Sequence, residues 1–134
     1  MSLPLLLFVC VENSCRSQMA EGFARALGEG HVKAFSAGSR PSGRVDARAG
    51  RFMAEKGVGL EGQASKGLDD LPKGVTWDFV VTMGCGDACP QIPARHRLDW
   101  DLSDPKKLGD DEFRLIRDEI ETLVQGLIGE VANR

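Results

Sequence analysis

The chain has 134 residues, of which 42% are hydrophobic, and a formal net charge of -3. This length and apolar content predict one globular domain over residues 1–134, with a core large enough to fold alone. Lysine and arginine are scattered rather than clustered with aromatic residues, which argues against a nucleic-acid partner. The apolar run from Leu3 to Val9 is too short to span a bilayer and lacks the features of a signal peptide. We therefore expect a cytoplasmic protein that does not bind membranes.

Strand and helix patterns alternate along the chain. Leu3 to Val9 is uniformly apolar, as expected of a buried parallel strand, and Arg16 to Leu27 carries apolar residues at helical spacing. The other predicted elements are strands over Val32 to Ser36, Phe79 to Met83 and Arg97 to Trp100, helices over Val45 to Lys56 and Asp111 to Val131, and a brief helical turn at Leu68 to Leu71. The alternation predicts a three-layer α/β fold, with a four-stranded parallel sheet and helices on both faces.

The segment between the first strand and the first helix, residues 10–17, predicts an anion site and is called the oxyanion loop below. With five residues between Cys10 and Arg16, the loop can curl around a tetrahedral anion. The helix that follows turns its positive end toward the same place. The predicted oxyanion-binding residues are Val11, Glu12, Asn13, Ser14, Cys15, Arg16 and Ser17. A cysteine beside a helix N-terminus and a cation ionises readily, so we expect Cys10 to be a nucleophile.

The four cysteines fall into two groups, Cys10 with Cys15 and Cys85 with Cys89. In a chain with an ordinary core this pattern is not typical of a disulfide scaffold, so catalytic thiols and a metal site are the interpretations to compare. The spacings lie near those of zinc ligands. Arg16 would oppose a divalent cation beside the first group, which favours catalytic thiols. Cys85 and Cys89 can also be read as a pair of buried small hydrophobic residues.

Several motifs carry a resemblance to a known family. Cys-x5-Arg-Ser after the first strand, together with Asp104-Pro105 late in the chain, resembles the low-molecular-weight protein tyrosine phosphatase fold over essentially the whole chain. Residues 10–21, the triplet Ser36-Ala37-Gly38 and the run from Thr82 to Pro90 further resemble the thioredoxin-coupled arsenate reductases. Two extra cysteines after the third strand have no role in the hydrolysis of phosphate esters.

The resemblance implies a reaction sequence. Cys10 attacks arsenate held by Arg16, and Asp104 protonates the departing oxygen. Cys85 then attacks the Cys10 sulfur and releases arsenite, after which Cys89 attacks Cys85 and thioredoxin reduces the resulting disulfide. No metal or organic cofactor is implied, and we expect a monomer. Taken alone, Asp104 also fits an exposed turn carboxylate before proline.

Many reductases of this family hold a potassium ion behind the loop. The residues that match its ligands are Asn13, Glu21 and Ser36, whereas Lys66 stands where the family has an acidic residue. A lysine disfavours a cation at this position. Two predictions follow from the substitution: the Lys66 ammonium takes the place of the ion, or it points to solvent.

Two other functions stay open at the level of sequence. A phosphatase acting on phosphate monoesters needs Cys10, Arg16 and Asp104 alone, although Lys106 and Lys107 follow Asp104-Pro105 in place of an aromatic residue. A non-catalytic zinc or redox-sensing module could use the same loop. The final reductant is also open, because glutaredoxin-like proteins or small thiols can perform that step as thioredoxin does.

Overall fold

The computed structural model describes residues 3–84 and 92–132. Its strands are β1 (Leu5–Cys10), β2 (Lys33–Gly38), β3 (Trp77–Thr82) and β4 (Ala94–Asp99), and its helices are α1 (Arg16–Leu27), α2 (Ala47–Ala54) and α3 (Asp110–Ala132). Short 3₁₀ turns lie at Leu68–Asp70 and Pro105–Lys107. The strands form one parallel sheet in the order β2-β1-β3-β4. The predicted four-stranded parallel α/β fold is confirmed.

The uniformly apolar β1 lies inside the sheet and is covered on both faces. Leu6 and Phe8 belong to the larger core cluster, whereas Leu7 and Val9 belong to the smaller one. All four side chains are fully buried. Successive side chains of a strand point to opposite faces, so a strand with two covered faces has no polar position.

Helical segments lie on both sides of the sheet. The larger core contains apolar residues of α1, α2 and α3, including Phe23, Phe52 and Phe113. The smaller core, on the other face, contains Trp77 and Val80, and Leu68 and Leu71 at the first 3₁₀ turn pack against it. Among the described helices, α1, α2 and α3 contact one another, so the three share one layer.

The bounds of several predicted elements need correction, most of all those of the second helix and the fourth strand. The second helix is shorter at both ends than the predicted Val45 to Lys56, because Asp46 is its N-cap and accepts a 2.8 Å hydrogen bond from the Arg48 N–H. β4 begins at Ala94 rather than Arg97. It lies at the edge of the sheet, where its alternate residues are exposed, so polar residues extend it without being buried.

The C-terminal helix α3 has 23 residues and covers the sheet with one apolar stripe. Phe113, Ile120, Val124 and Leu127 are buried on that stripe at helical spacing. Its first turn carries Asp110 and other acidic residues, which complement the positive end of the helix dipole. Within residues 3–84 and 92–132, no helix is long and apolar enough to cross a membrane.

Candidate active site

Cys10 is the last residue of β1, and the oxyanion loop leads from it into α1 at the carboxyl edge of the sheet. Asn13 lies in the left-handed region, with φ of +50°, a conformation that asparagine adopts more readily than most residues. This local turn points the Asn13 backbone N–H at the Cys10 sulfur, with an N···Sγ distance of 3.2 Å. The loop therefore curls back over the thiol, as its length predicts.

A chain of side-chain hydrogen bonds ends on the Cys10 sulfur. Asn13 Nδ2 donates to Ser17 Oγ at 2.8 Å, and Ser17 Oγ lies 2.9 Å from Cys10 Sγ. Because the hydroxyl oxygen already accepts from Asn13, its hydrogen is free to donate to the sulfur. Ser17 and Asn13 are fully buried. Together with the Asn13 N–H, this hydroxyl stabilises a negative charge on sulfur.

Two further groups fix the orientation of the Asn13 side chain. Its Oδ1 accepts the backbone N–H of Lys66 at 2.7 Å and the Nε2 of Gln18 at 3.0 Å. A backbone N–H can only donate, so Oδ1 must face Lys66 and Nδ2 must face Ser17. Gln18 also donates to the carbonyls of Asn13 and Ala64. The loop conformation thus depends on a buried amide that lies in α1.

Arg16 begins α1 and is held from the opposite side of the site. Its Nη1 donates to the carbonyl of Met83 at 2.8 Å and to that of Leu102 at 2.9 Å. Its Nη2 lies 3.9 Å from Asp104 Oδ2. The Arg16 side chain is 11% exposed and lines the cavity above Cys10, so the remaining N–H groups of its guanidinium can reach an anion there.

Two glycines allow the chain to pass close to these groups. A Cβ on Gly38 would lie 2.5 Å from the Val11 carbonyl oxygen, where the end of β2 meets the loop. Gly84 has φ of +71°, and a Cβ there would lie 2.8 Å from the Leu102 carbonyl oxygen and 3.1 Å from Arg16 Nη1. Both positions therefore exclude larger residues.

The loop forms the floor of a cavity of about 260 Å³. Its lining residues are Cys10, Val11, Glu12, Ser14, Cys15, Arg16, Asp104 and Lys106. Among the described residues, the buried Ser14 hydroxyl has no hydrogen-bond partner, which leaves it available to an oxyanion in the cavity. Asp104 also lines this cavity, and its side chain is half exposed. The predicted acid and the predicted nucleophile, Cys10, therefore line the same cavity.

The second thiol of the loop, Cys15, differs from Cys10 in its surroundings. It is the N-cap residue of α1 and is 3% exposed. Burial, reinforced by the carboxylates of Asp46 and Asp104, raises the pKa of the Cys15 thiol far above its ordinary value. Cys15 therefore stays protonated, which favours a structural role over a nucleophilic one.

A buried polar cluster behind the loop contains the residues predicted for cation binding or loop support. Glu21 is 1% exposed, and its carboxylate accepts from the Ser36 hydroxyl at 2.5 Å and pairs with Arg25 at 2.7 Å. Lys66 Nζ lies 3.7 Å from the Glu21 carboxylate. The cluster meets the loop through the bond from the Lys66 backbone to Asn13. Of the two predictions for Lys66, this geometry favours an ammonium beside the carboxylate.

Cys85 and Cys89, the predicted second and third thiols, lie outside the described residues. Within residues 3–84 and 92–132, no three His, Cys, Asp or Glu side chains come together as a metal site would require. Three residues that were not predicted as site residues also belong to the site: Gln18, Gly84 as the neighbour of Arg16, and Lys106. Gln18 follows Arg16-Ser17 directly, and Lys106 follows Asp104-Pro105, so proximity to a motif was the available signal.

The chain belongs to the low molecular weight phosphotyrosine protein phosphatase family, whose sequence profile matches residues 5–134. A glutaredoxin arsenate reductase of Synechocystis is 36% identical over 130 residues, which cover 95% of this chain and 98% of that protein. A solved arsenate reductase in the phosphate binding state is 34% identical, with a TM-score of 0.85 over 96% of this chain and 99% of the other.

A third relative is the thioredoxin-dependent arsenate reductase of Corynebacterium glutamicum. It is 34% identical, with a TM-score of 0.80, and the match covers 97% of this chain and 62% of that one. The predicted family and fold are thereby confirmed, and the relatives compared are arsenate reductases. Their names differ in the reductant, which is glutaredoxin in one and thioredoxin in another.

Proposed function

We propose that this chain reduces arsenate to arsenite, with Cys10 as the nucleophile. The observation that carries the proposal is the position of the Cys10 sulfur. It lies on the floor of a cavity lined by Arg16 and Asp104. It accepts hydrogen bonds from the Asn13 N–H and the Ser17 hydroxyl. A thiolate, a guanidinium and a carboxyl group around one cavity suit attack on a tetrahedral oxyanion.

Binding of the oxyanion uses the loop and Arg16. Arsenate resembles phosphate in shape and charge, so backbone N–H groups at the start of α1 and the free N–H groups of Arg16 can hold its oxygens. The Ser14 hydroxyl supplies another donor. Because Met83 and Leu102 already hold Arg16 in place, little side-chain entropy is lost when the anion binds.

The first chemical step forms a sulfur-arsenic bond. The Cys10 thiolate attacks the arsenic of the arsenate monoanion, and the arsenic-oxygen bond to one hydroxyl breaks. That hydroxyl takes a proton from the protonated form of Asp104 and leaves as water. The product is a thiol-arsenate adduct on Cys10, and arsenic remains As(V) through this step.

The second step reduces arsenic. The Cys85 thiol attacks the Cys10 sulfur, the sulfur-arsenic bond breaks, and its electron pair goes to arsenic, which leaves as As(III) and takes up the thiol proton. Two thiols have now become a disulfide, which balances the two electrons gained by arsenic. Cys89 then attacks Cys85, frees Cys10 and leaves a Cys85–Cys89 disulfide.

We propose thioredoxin as the donor that reduces this final disulfide, with no metal or organic cofactor. The name of the Corynebacterium relative supports thioredoxin, whereas that of the Synechocystis relative supports glutaredoxin, so the two donors are compared directly below. The reaction is placed in the cytoplasm, because dithiol donors are kept reduced there. We expect the chain to work as a monomer.

We also propose that the Lys66 ammonium replaces a potassium ion behind the loop. Asn13, Glu21, Ser36 and Lys66 form one connected cluster, in which Lys66 Nζ lies 3.7 Å from one oxygen of the Glu21 carboxylate while Arg25 pairs with the other. A bound cation and an ammonium offer the same charge to a buried carboxylate. In this role Lys66 supports the loop without touching the oxyanion.

The function is tested by arsenate-dependent oxidation of NADPH in the presence of purified protein. Reactions contain either thioredoxin with its reductase, or glutaredoxin with glutathione and glutathione reductase. Cys10→Ser, Cys85→Ser and Cys89→Ser variants are run beside the wild type. We expect sustained turnover with thioredoxin, lost in all three variants.

The same variants separate reduction from the phosphatase alternative. A phosphatase needs Cys10 but not Cys85, so hydrolysis of an aryl phosphate that persists in Cys85→Ser without any arsenate turnover in the wild type would overturn the proposal. Faster turnover with glutaredoxin than with thioredoxin would change only the electron donor in the proposal and would leave the reaction as proposed. Stoichiometric zinc in protein purified under reducing conditions would favour a zinc module instead.

A further inference from the structure

The mouth of the oxyanion cavity is crossed by an ion pair that the reaction scheme does not use. Lys106 Nζ donates to the Glu12 carboxylate, and both residues line the cavity. Their side chains are 28% and 49% exposed, whereas Cys10 on the floor is 3% exposed. The pair therefore lies on the solvent side of the nucleophile, between residues that are 94 positions apart in sequence.

Both ends of this pair are fixed through their backbones. The Glu12 carbonyl accepts from the Ser42 N–H and from the Ser65 hydroxyl, each at 3.0 Å. The Lys106 N–H donates to Asp104 Oδ1 at 3.1 Å, and its carbonyl accepts from Arg48 at 3.4 Å. The backbones are thus held in place, while the two side chains are exposed enough to change partners.

Lys106 offsets part of the negative charge around the cavity. Glu12 and the attacking Cys10 thiolate are negative, and among the described residues that line the cavity the other cation is Arg16. Arg16 already donates to two carbonyls and lies 3.9 Å from Asp104. An incoming anion would meet an excess of negative charge if Lys106 were absent.

Lys106 is charged at neutral pH. Partial burial acts to lower the pKa of its ammonium, but the hydrogen bond to Glu12 and the nearby Asp104 carboxylate outweigh that effect and raise the pKa above its ordinary value. The ammonium of a flexible lysine side chain can move from one acceptor to another that lies nearby. A bound oxyanion offers such an acceptor inside the cavity that Lys106 lines.

We propose that Lys106 is a further anion-binding residue of the oxyanion site, whose ammonium exchanges the Glu12 carboxylate for an oxygen of the bound oxyanion. Glu12 then competes with the anion for the same cation, so it lowers the affinity of the site for the oxyanion. This inference rests on the proposed function for the identity of the substrate, but it concerns the affinity for any tetrahedral oxyanion.

The test measures equilibrium binding of inorganic phosphate, and then of arsenate, by calorimetry in a Cys10→Ser background where no reaction occurs. Lys106→Met, Glu12→Gln and the double variant form a cycle. A hydrogen bond to a charged group is typically worth about tenfold in affinity, so Lys106→Met should raise Kd about tenfold. Glu12→Gln should lower Kd, and Lys106→Met should raise it by more than about tenfold in the Glu12→Gln background, because no carboxylate then competes for the ammonium.

The alternative is that Lys106 only neutralises Glu12. In that case the effect of Lys106→Met falls below about twofold once Glu12 is replaced, and that result would overturn the proposal. Lys107→Met is the matched control, because this exposed lysine follows Lys106 in the same turn and does not line the cavity. It should leave Kd unchanged. If Lys106→Met lowers stability, Lys106→Gln provides the second variant. Phosphate binding does not depend on reductase activity, so failure here is distinct from failure of the proposed function.

Discussion

The Arg16 guanidinium donates a 2.8 Å hydrogen bond to the carbonyl of Met83, which lies 67 positions away in sequence. This contact joins the start of α1 to the chain directly after β3. The Leu102 carbonyl, after β4, accepts from the same nitrogen. The segments that follow β1, β3 and β4 are thus held together by one side chain, and the cavity is shaped before any anion enters it.

Gly84→Ala should weaken oxyanion binding by displacing Arg16. The added Cβ would lie 3.1 Å from Arg16 Nη1 and 2.8 Å from the Leu102 carbonyl oxygen. The left-handed backbone adds about 1 kcal/mol of strain. We expect the inhibition constant of phosphate to rise about tenfold, the amount that loss of one charged hydrogen bond produces.

The matched control for this variant is Gly74→Ala. Gly74 has φ of +73°, close to the value at Gly84, and its added Cβ would meet nothing within 4 Å. Both variants carry the same backbone strain, but only Gly84→Ala disturbs Arg16. Equal effects of the two on phosphate inhibition would show that strain alone is responsible.

Ser17→Ala should slow the attack of Cys10. The Ser17 hydroxyl lies 2.9 Å from the sulfur and is oriented by Asn13. Loss of a hydrogen bond to a charged group costs about 1.5 to 3 kcal/mol, so kcat should fall about 10- to 100-fold. Alkylation of Cys10 by iodoacetamide, followed by peptide mass spectrometry, should slow in parallel. An unchanged alkylation rate in a variant that still binds phosphate would contradict this role for Ser17.

Potassium should have little effect on the wild-type protein, because the Lys66 ammonium lies 3.7 Å from the Glu21 carboxylate. Lys66→Asp removes that cation and adds a carboxylate ligand, so its kcat/KM should become dependent on potassium. The measurement is turnover in potassium chloride against sodium chloride at equal ionic strength. Lys73→Asp, at an exposed position, controls for the change of net charge. Strong activation of the wild type by potassium over sodium would rule out the replacement.

Acid should weaken the attachment of α2 to α3 through Glu55. Hydrogen bonds from Arg114 and then from Arg117 lower the pKa of Glu55 from its ordinary value of 4.5 to about 2. Because the pKa of Glu55 is lower in the folded state, its ionised carboxylate stabilises the fold at pH values above the pKa of the unfolded chain. This contribution disappears as the pH falls from 4.5 to 2. The carboxylate is exposed, so the effect should be modest and should shrink in high salt.

The measurement is urea unfolding of the wild type and of Glu55→Gln between pH 2 and pH 6. The difference in midpoint should be largest near pH 6 and should vanish near pH 2. Glu119→Gln, at an exposed position on α3, serves as the control and should show no such trend. A difference for Glu55→Gln that stays constant across this range would contradict the assignment.

The sequence predicted the sheet and the start of the site because both depend on local patterns. The apolar run before Cys10 and the helical spacing after Arg16 are readable without knowledge of tertiary contacts. The first helix was predicted with its observed limits, Arg16 to Leu27. β4 was predicted too short, because an edge strand keeps polar residues such as Arg95 on its exposed side and so lacks a strong apolar signal.

The contacts that orient the site could not be predicted in the same way. Lys66 is 53 positions from Asn13, and Lys106 is 94 positions from Glu12. Contacts between residues so far apart in sequence become visible only when the fold is known. The sequence left two places for the Lys66 side chain, and only the fold shows that its Nζ lies 3.7 Å from the Glu21 carboxylate.

Reduction of arsenate by the protein's own thiols is tested by a single turnover of the reduced protein with arsenate and no other reductant. Arsenite is measured together with the free thiols that remain. We expect about one arsenite per chain and the loss of about two thiols, because two thiols supply the two electrons that arsenic gains. Cys10→Ser should form no arsenite. Hydrolysis of an aryl phosphate by the same sample, with no arsenite formed and no thiol lost, would show a phosphatase and not an arsenate reductase.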